Sequence, residues 1–352
     1  MSRKIFITDC EGPLTLNDNA FELCDNFISD GDKLFKILSA YDDYLVDVVK
    51  KEGYNAGNTL KFIIPFLKAE NLTNQDLINF SKKNILEFNC TKNSFQYIKK
   101  FMNSYIVSTS YGQYIEAVCD YFDFSFENTF YTFIDMDEII LNEEDTKKIK
   151  KFKEIILKAD LKKSEDIDKL DKIFFEEFPK MNFYENYSKI VTVGGSGKQL
   201  AVDKIIKIED VEPNQLFYIG DSITDADPLR FVKENDGLSI SFNGNEFALD
   251  AAEIAIISPN GVITGVIAHI FSTYGKEHVL KFIEEYNITD DMESLFEKYK
   301  NNAFVSKIFF EKFYDKRYPI IEVITNENRQ DLLESSIEMR KNVRGDDIGN
   351  LG

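Results

Sequence analysis

Five short apolar runs, KIFIT, YIVST, LFYIG, LSISF and IAIIS, stand between turn residues along the chain. Each is nearly continuous rather than alternating, as in strands of a parallel sheet covered on both faces. Helical spacing fills the intervals, so the pattern predicts an open α/β sheet. Two blocks interrupt the alternation. From 17 to about 100, Leu34, Ile37, Leu38, Tyr41, Leu45, Val48 and Val49 recur at helical spacing, and NTLKFIIPFLKAE continues the pattern. From about 135 to 185, Ile149, Phe152, Ile155 and Ile156 form a stripe among lysines, and the charges read as a solvated helix face. From about 275 the chain reads as helical again, with Leu280, Ile283, Leu295, Phe296 and Tyr299 as core positions. The tail NVRGDDIGNLG reads as frayed or partner-dependent. This divides the chain into a core of 1–16, 101–134 and 186–274, helical insertions at 17–100 and 135–185, and an extension at 275–352.

Length and composition narrow the chemistry. A chain of 352 residues with 43% hydrophobic positions suits one large domain with insertions, or two domains. Its formal charge of -19 argues against a nucleic-acid or anionic-membrane surface. Its apolar stretches fall short of the roughly 20 residues a helical span needs. The N-terminus enters a strand without a signal-peptide pattern, so a cytoplasmic location is expected. Cys10, Cys24, Cys90 and Cys119 form no C-x-x-C pair, which removes support for a zinc or iron–sulfur site and favours reduced thiols. His269 and His278 are the only histidines. Any chemistry must therefore come from carboxylates, hydroxyls and lysines.

Open parallel sheets bind ligands beyond the carboxyl ends of their strands. The first run ends in Thr8-Asp9-Cys10-Glu11, and YIVSTS ends in Ser108, Thr109 and Ser110. LFYIGDSITDAD ends in Gly220-Asp221, followed by Asp225 and Asp227, while IVTVGGSGKQLAVDKI places Lys198 at a helix start. Crowded acids with a hydroxyl and a lysine suit a Mg²⁺-phosphate site, because the cation takes hard oxygen ligands and keeps neighbouring carboxylates ionised together. An Asp carboxylate there could attack phosphorus, and a neighbouring carboxyl could protonate the leaving alkoxide. Lys198 and Ser108 suit the transferring oxygens. A P-loop reading of Lys198 fails, since Thr192 stands at the first glycine position and Gln199 at the final hydroxyl position. Asp227 reads equally as a site acid or a structural residue, and both histidines read as structural.

DCEGPL, YIVSTS, Lys198 and GDSITDAD, in this order, resemble the four motifs of the haloacid dehalogenase (HAD) superfamily. The resemblance implies a Rossmann-like core in which Asp9 is the nucleophile and Glu11 the general acid. Ser108 would be the second-motif hydroxyl and Lys198 the phosphoryl-steadying lysine. Asp9, Glu11 through its main-chain carbonyl, Asp221 and Asp225 would hold Mg²⁺. The block at 17–100 resembles the family's cap. TDCEGPLTLNDNAFEL with SISFNGNEFAL is similar to an archaeal subgroup labelled subunit R of energy-converting hydrogenase A. The implied activity is hydrolysis of a small phosphorylated metabolite. The alternatives are an accessory subunit of a hydrogenase complex and a phosphotransferase or mutase. The chain departs from the family's D-x-D-G-T in two places. Glu11 is one methylene longer than Asp, and Pro13 lacks a hydroxyl and an N–H.

Overall fold

The computed structural model describes residues 3–51, 54–301, 303–313 and 319–349. All five expected runs are strands: β1 (Ile5–Thr8), β2 (Asn103–Tyr111), β4 (Leu216–Gly220), β5 (Leu238–Phe242) and β6 (Ile254–Ile257). Two short strands, β3 (Thr129–Thr132) and β7 (Ile320–Val323), extend the sheet to seven in the order β3-β2-β1-β4-β5-β6-β7. Every pairing is parallel except β6 with β7. The class is therefore the expected α/β one, a Rossmann-like parallel sheet covered by helices. The stretch after 275, expected to be helical throughout, departs from that at β7. Ile321 is fully buried there and pairs with Ile256, so the return of the chain closes the sheet edge with an antiparallel strand.

β1 lies at the centre, with Thr8 opposite Ile106 on one side and Ile219 on the other. Strand order reverses about β1, which opens a crevice at the carboxyl ends of β1, β2 and β4. Packing on the two faces accounts for the unbroken apolar runs. Phe6, Ile106, Phe217 and Ile240 face the larger core with the helix Val262–Tyr274, whereas Ile5, Ile7, Val107 and Tyr218 face the helices Ser196–Glu209 and Ala226–Glu234.

The two helical insertions pack as one body. A single apolar cluster joins Leu34, Leu38, Tyr41 and Phe62 from the first to Ile149, Phe174 and Phe178 from the second. Phe62 and Phe174 meet with ring centroids 4.2 Å apart, and Tyr41 donates its hydroxyl to Asp171. The helix Thr91–Ile98, within the first insertion by sequence, packs instead with the sheet through Phe95 and Ile98.

The C-terminal helix Arg329–Gly349 returns over the carboxyl edge of the sheet. Arg329 grips Asp250 through two hydrogen bonds of 2.6 and 2.9 Å, and Ser336 donates to the Gly244 carbonyl at 2.7 Å. The helix breaks at Gly345, where φ is 79°. Beyond the break Asp347 meets Lys36 and Ile348 reaches the apolar cluster of the helical insertions. This helix thus runs from the sheet to the first helical insertion. Among the described residues no helix is long and apolar enough to cross a membrane.

Candidate active site

The tip of β1 delivers Asp9 beside the tip of β4, and the Asp9 N–H donates to the Ile219 carbonyl at 2.9 Å. Asp9, Asp221 and Asp225 are all buried, and each offers an oxygen within 4.8 Å of the others. Two glycines permit this crowding. A Cβ at Gly12, where φ is 102°, would stand 2.3 Å from Asp221 Oδ2. A Cβ at Gly220 would stand 2.4 Å from the Asp225 carboxyl carbon. Only glycine fits either position without moving an acid.

Lys198 lies in the first turn of its helix and is fully buried. Its ammonium pairs with Asp9 Oδ2 at 2.7 Å and with Asp225 Oδ1 at 2.8 Å. Burial pulls the ammonium's pKa down, but Asp225 and Asp9 outweigh it and hold the group above its ordinary value. Asp225 also accepts the Tyr218 hydroxyl at 2.8 Å and, on Oδ2, the main-chain N–H groups of Asp221 and Ser222, both at 3.2 Å. Both Asp225 oxygens are thus occupied by protein donors. The Asp9 carboxyl is pushed up to about 8, first by burial and then by Asp225, with Lys198 opposing. The cluster therefore carries more negative charge than its surroundings comfortably ionise. A divalent cation with hard-oxygen preference fits that donor set and would relieve it.

Glu11 reaches away from the strand. Its Oε1 accepts the N–H of Asn19 at 2.6 Å, the first residue of the cap helix Asn19–Phe27. Burial, and next the charge of Asp18, hold its carboxyl well above the usual range. The β2 tip is a hydroxyl ladder. Ser108 donates to Ser110 Oγ at 3.1 Å, and the Ser110 hydroxyl lowers the pKa of the Glu11 carboxyl against the effect of burial. The Thr109 hydroxyl lines the cavity without a hydrogen-bond partner. Of the remaining expectations, Asp227 lies outside the cluster and meets Arg230 at 3.5 Å on the surface. His269 bonds Tyr97 in the core, and His278 stacks on Tyr274, both far from the acids in the fold.

A cavity of about 110 Å³ opens over these groups. Asp9, Glu11, Ser108, Thr109 and Asp221 line it, together with Phe35, Asp42 and Thr59 of the first helical insertion. Asp42 holds the loop before Thr59 by accepting from the N–H groups of Gly57 and Thr59 at 3.0 and 2.9 Å. Two further cavity residues, Arg340 and Arg344, come from the C-terminal helix. Sequence reasoning did not reach them. Two arginines four apart were the available signal, but local spacing cannot say where a helix docks.

No family model and no curated protein matches this chain. Among solved structures, the gene product AF1437 from Archaeoglobus fulgidus is similar over 100% of this chain and 99% of its own, at 26% identity and a TM-score of 0.82. A phosphoserine phosphatase bearing an analogue of its phospho-aspartyl intermediate is 14% identical over 72% of this chain and 93% of its own, with a TM-score of 0.47. A phosphoserine phosphohydrolase-like protein from Francisella tularensis is 15% identical over 75% and 97%, with a TM-score of 0.45. The first likeness shows the same architecture end to end, while the other two are remote.

Proposed function

We propose that the protein is a Mg²⁺-dependent phosphohydrolase of the HAD type, acting on a small phosphomonoester through an aspartyl-phosphate on Asp9. The observation that carries this reading is a buried lysine bridging two strand-tip aspartates at 2.7 and 2.8 Å, with Asp221 in the same cluster. An ordinary structural ion pair does not need a third buried acid or a cavity above it.

In this reading Asp9 attacks phosphorus in line. The ester P–O bond breaks, and the leaving alkoxide takes the proton of the Glu11 carboxyl. Glu11 then removes a proton from water, whose oxygen attacks the phosphorus and returns Asp9 as a free carboxylate. Lys198 steers Asp9 and neutralises the transferring oxygens, and Ser108 and Thr109 line the same face. Asp9, Asp221 and the Glu11 main-chain carbonyl would hold Mg²⁺, which when bound offsets charge on the phosphoryl oxygens. Asp225, whose oxygens are already engaged, serves in this reading as the anchor of Lys198. An accessory-subunit role would call for a broad apolar docking face on the C-terminal helices. Among the described residues after 275, the exposed large apolar side chains are Ile288 and Phe304.

The test is Mg²⁺-dependent release of phosphate from a panel of phosphomonoesters by the wild type, Asp9→Asn and Glu11→Gln. Asp9→Asn should be inactive, and Glu11→Gln should turn over more slowly than wild type. Full activity in Asp9→Asn would remove the nucleophile. A wild type silent on a broad panel would favour the accessory role.

A further inference from the structure

Arg340 and Arg344 lie one turn apart on the C-terminal helix and converge on one atom. Both donate to Asp221 Oδ2, Arg344 at 3.2 Å. Arg340 also donates to the Asp221 carbonyl at 3.1 Å. Arg344 extends in the other direction, giving its Nε hydrogen to the Leu16 carbonyl at 3.1 Å and an Nη2 hydrogen to the Asn17 carbonyl. Leu16 and Asn17 are where the chain leaves the core for the cap. The two side chains are 5% and 6% exposed, so these are buried charges and not surface pairs.

Charge counting gives the consequence. The cluster holds three carboxylates, Asp9, Asp221 and Asp225. Three cations face them: Lys198 between Asp9 and Asp225, and the two arginines on Asp221. Lys198 and the two arginines thus offset part of this charge before any metal arrives, and Asp18 in the same cavity adds a further buried carboxyl beside the arginines. Asp221 lines the cavity; both arginines bond its Oδ2, and no hydrogen bond to its Oδ1 is seen among the described residues. A divalent cation on Oδ1 would meet two guanidinium charges across a single carboxylate, in a buried setting where repulsion is poorly screened.

We propose that Arg340 and Arg344 are built-in counter-ions that set the site's affinity for a divalent cation, so that the cation gains Asp221 only against their charge. This rests on the reading of the cluster as a cation site. It also assigns a purpose to the C-terminal extension: its helix carries charges that offset the acids of the cluster. Mg²⁺ alone then binds weakly. A phosphate dianion arriving with it restores the balance, so the two ligands bind with positive coupling.

The experiment is calorimetric titration of the full-length protein with MgCl₂ at fixed ionic strength, with and without inorganic phosphate. Arg344→Met and Arg340→Met should each bind Mg²⁺ tighter by on the order of tenfold or more. Arg344→Lys, which keeps the charge, should stay near wild type. Lys36→Met removes a charge from the Asp347 contact without touching Asp221, and should also stay near wild type. Phosphate should tighten Mg²⁺ binding in the wild type and do so less in the methionine variants. Thermal melts in EDTA identify any variant that fails to fold, and Arg344→Met against Arg344→Lys keeps the comparison open if Arg340→Met is lost. Methionine variants that bind Mg²⁺ equally or more weakly than a binding wild type overturn the proposal and leave the cation site standing. Absence of Mg²⁺ binding in every protein at tens of millimolar overturns the cation reading itself, and the proposal with it.

Discussion

Replacing Gly12 by alanine isolates how closely Asp221 must be placed in the acidic cluster. The new Cβ would stand 2.3 Å from Asp221 Oδ2 and 2.4 Å from its carboxyl carbon, more than 1 Å short of ordinary contact. Two costs arise. A non-glycine residue at φ 102° carries about 1–3 kcal/mol of backbone strain. The clash must also push Asp221 by roughly the missing ångström, and displacements near 1 Å cost on the order of 100-fold in rate. Gly275→Ala separates the two. Its φ is 88° and nothing lies within 4 Å of the added Cβ, so it pays the strain without the collision. Urea unfolding and kcat/KM on a chromogenic phosphomonoester provide the readouts. Both variants should lose about 1–3 kcal/mol to strain, Gly12→Ala somewhat more. Activity should fall by about 100-fold in Gly12→Ala alone. A Gly12→Ala protein that is less stable yet fully active would refute the claim that Asp221 must sit where glycine allows.

Lys198→Met removes the ammonium shared by Asp9 and Asp225 and strands buried charge. Urea unfolding near neutral pH should register a loss of about 3–5 kcal/mol, and a loss under 1 kcal/mol would contradict the pairing. Glu22, whose oxygens accept from Asn17 Nδ2 at 2.8 and 2.9 Å, has its carboxyl pushed up from 4.5 to about 7, chiefly by burial. A raised acid means the folded chain holds the proton more tightly, so this contribution is complete below pH 4.5 and lost as pH rises through 7. Glu22→Gln should therefore remove about 1–3 kcal/mol of decline across that window, measured by unfolding at pH 4.5 and 8. Glu11→Asp shortens the side chain by about 1.5 Å and should break its bond to the Asn19 N–H. The expected result is lower turnover together with faster amide exchange at the start of helix Asn19–Phe27, and unchanged exchange there would show that no such tether exists.

The sheet centre was legible because β1, β2 and β4 are continuous apolar runs that end abruptly in polar residues. That one pattern gives both the buried strand and the place where its tip leaves the core. β3 and β7 escaped notice for a physical reason. TFYT and IIEV are four residues each, too short for a period to emerge, and they exist as strands only because a neighbour supplies the ladder. The joining of the two helical insertions was equally hidden. Phe62 and Phe174 each sit on an ordinary amphipathic stripe, and neither stripe says which partner will cover it. At the site, the spacing of Asp221 and Asp225 brought both acids to the cluster but could not divide their labour. Tyr218, Lys198 and two main-chain amides claim Asp225, and that division depends on tertiary packing. Arg340 and Arg344 were least legible. A charged tail reads as solvated unless the fold brings an acid to it.

Glu11 is where sequence oddity and structure meet. A motif that usually carries aspartate carries glutamate here, and the extra methylene has a destination. The carboxylate reaches the first N–H of the first cap helix, at 2.6 Å, where unsatisfied amides and the helix dipole favour an anion. Asp18 caps the same helix by accepting from Phe21 at 2.9 Å, so two acids share one helix end and each makes the other costlier to ionise. Burial and the Asp18 charge keep the Glu11 carboxyl protonated longer than an exposed one, while the Asn19 N–H pulls the other way by favouring the anion. Arg344 links the same junction, Leu16 and Asn17, to Asp221. Glu11 and Asp221 are thus both tied to the start of the first helical insertion, one through a main-chain amide and the other through a guanidinium. An aspartate at position 11 would leave only the second of these connections.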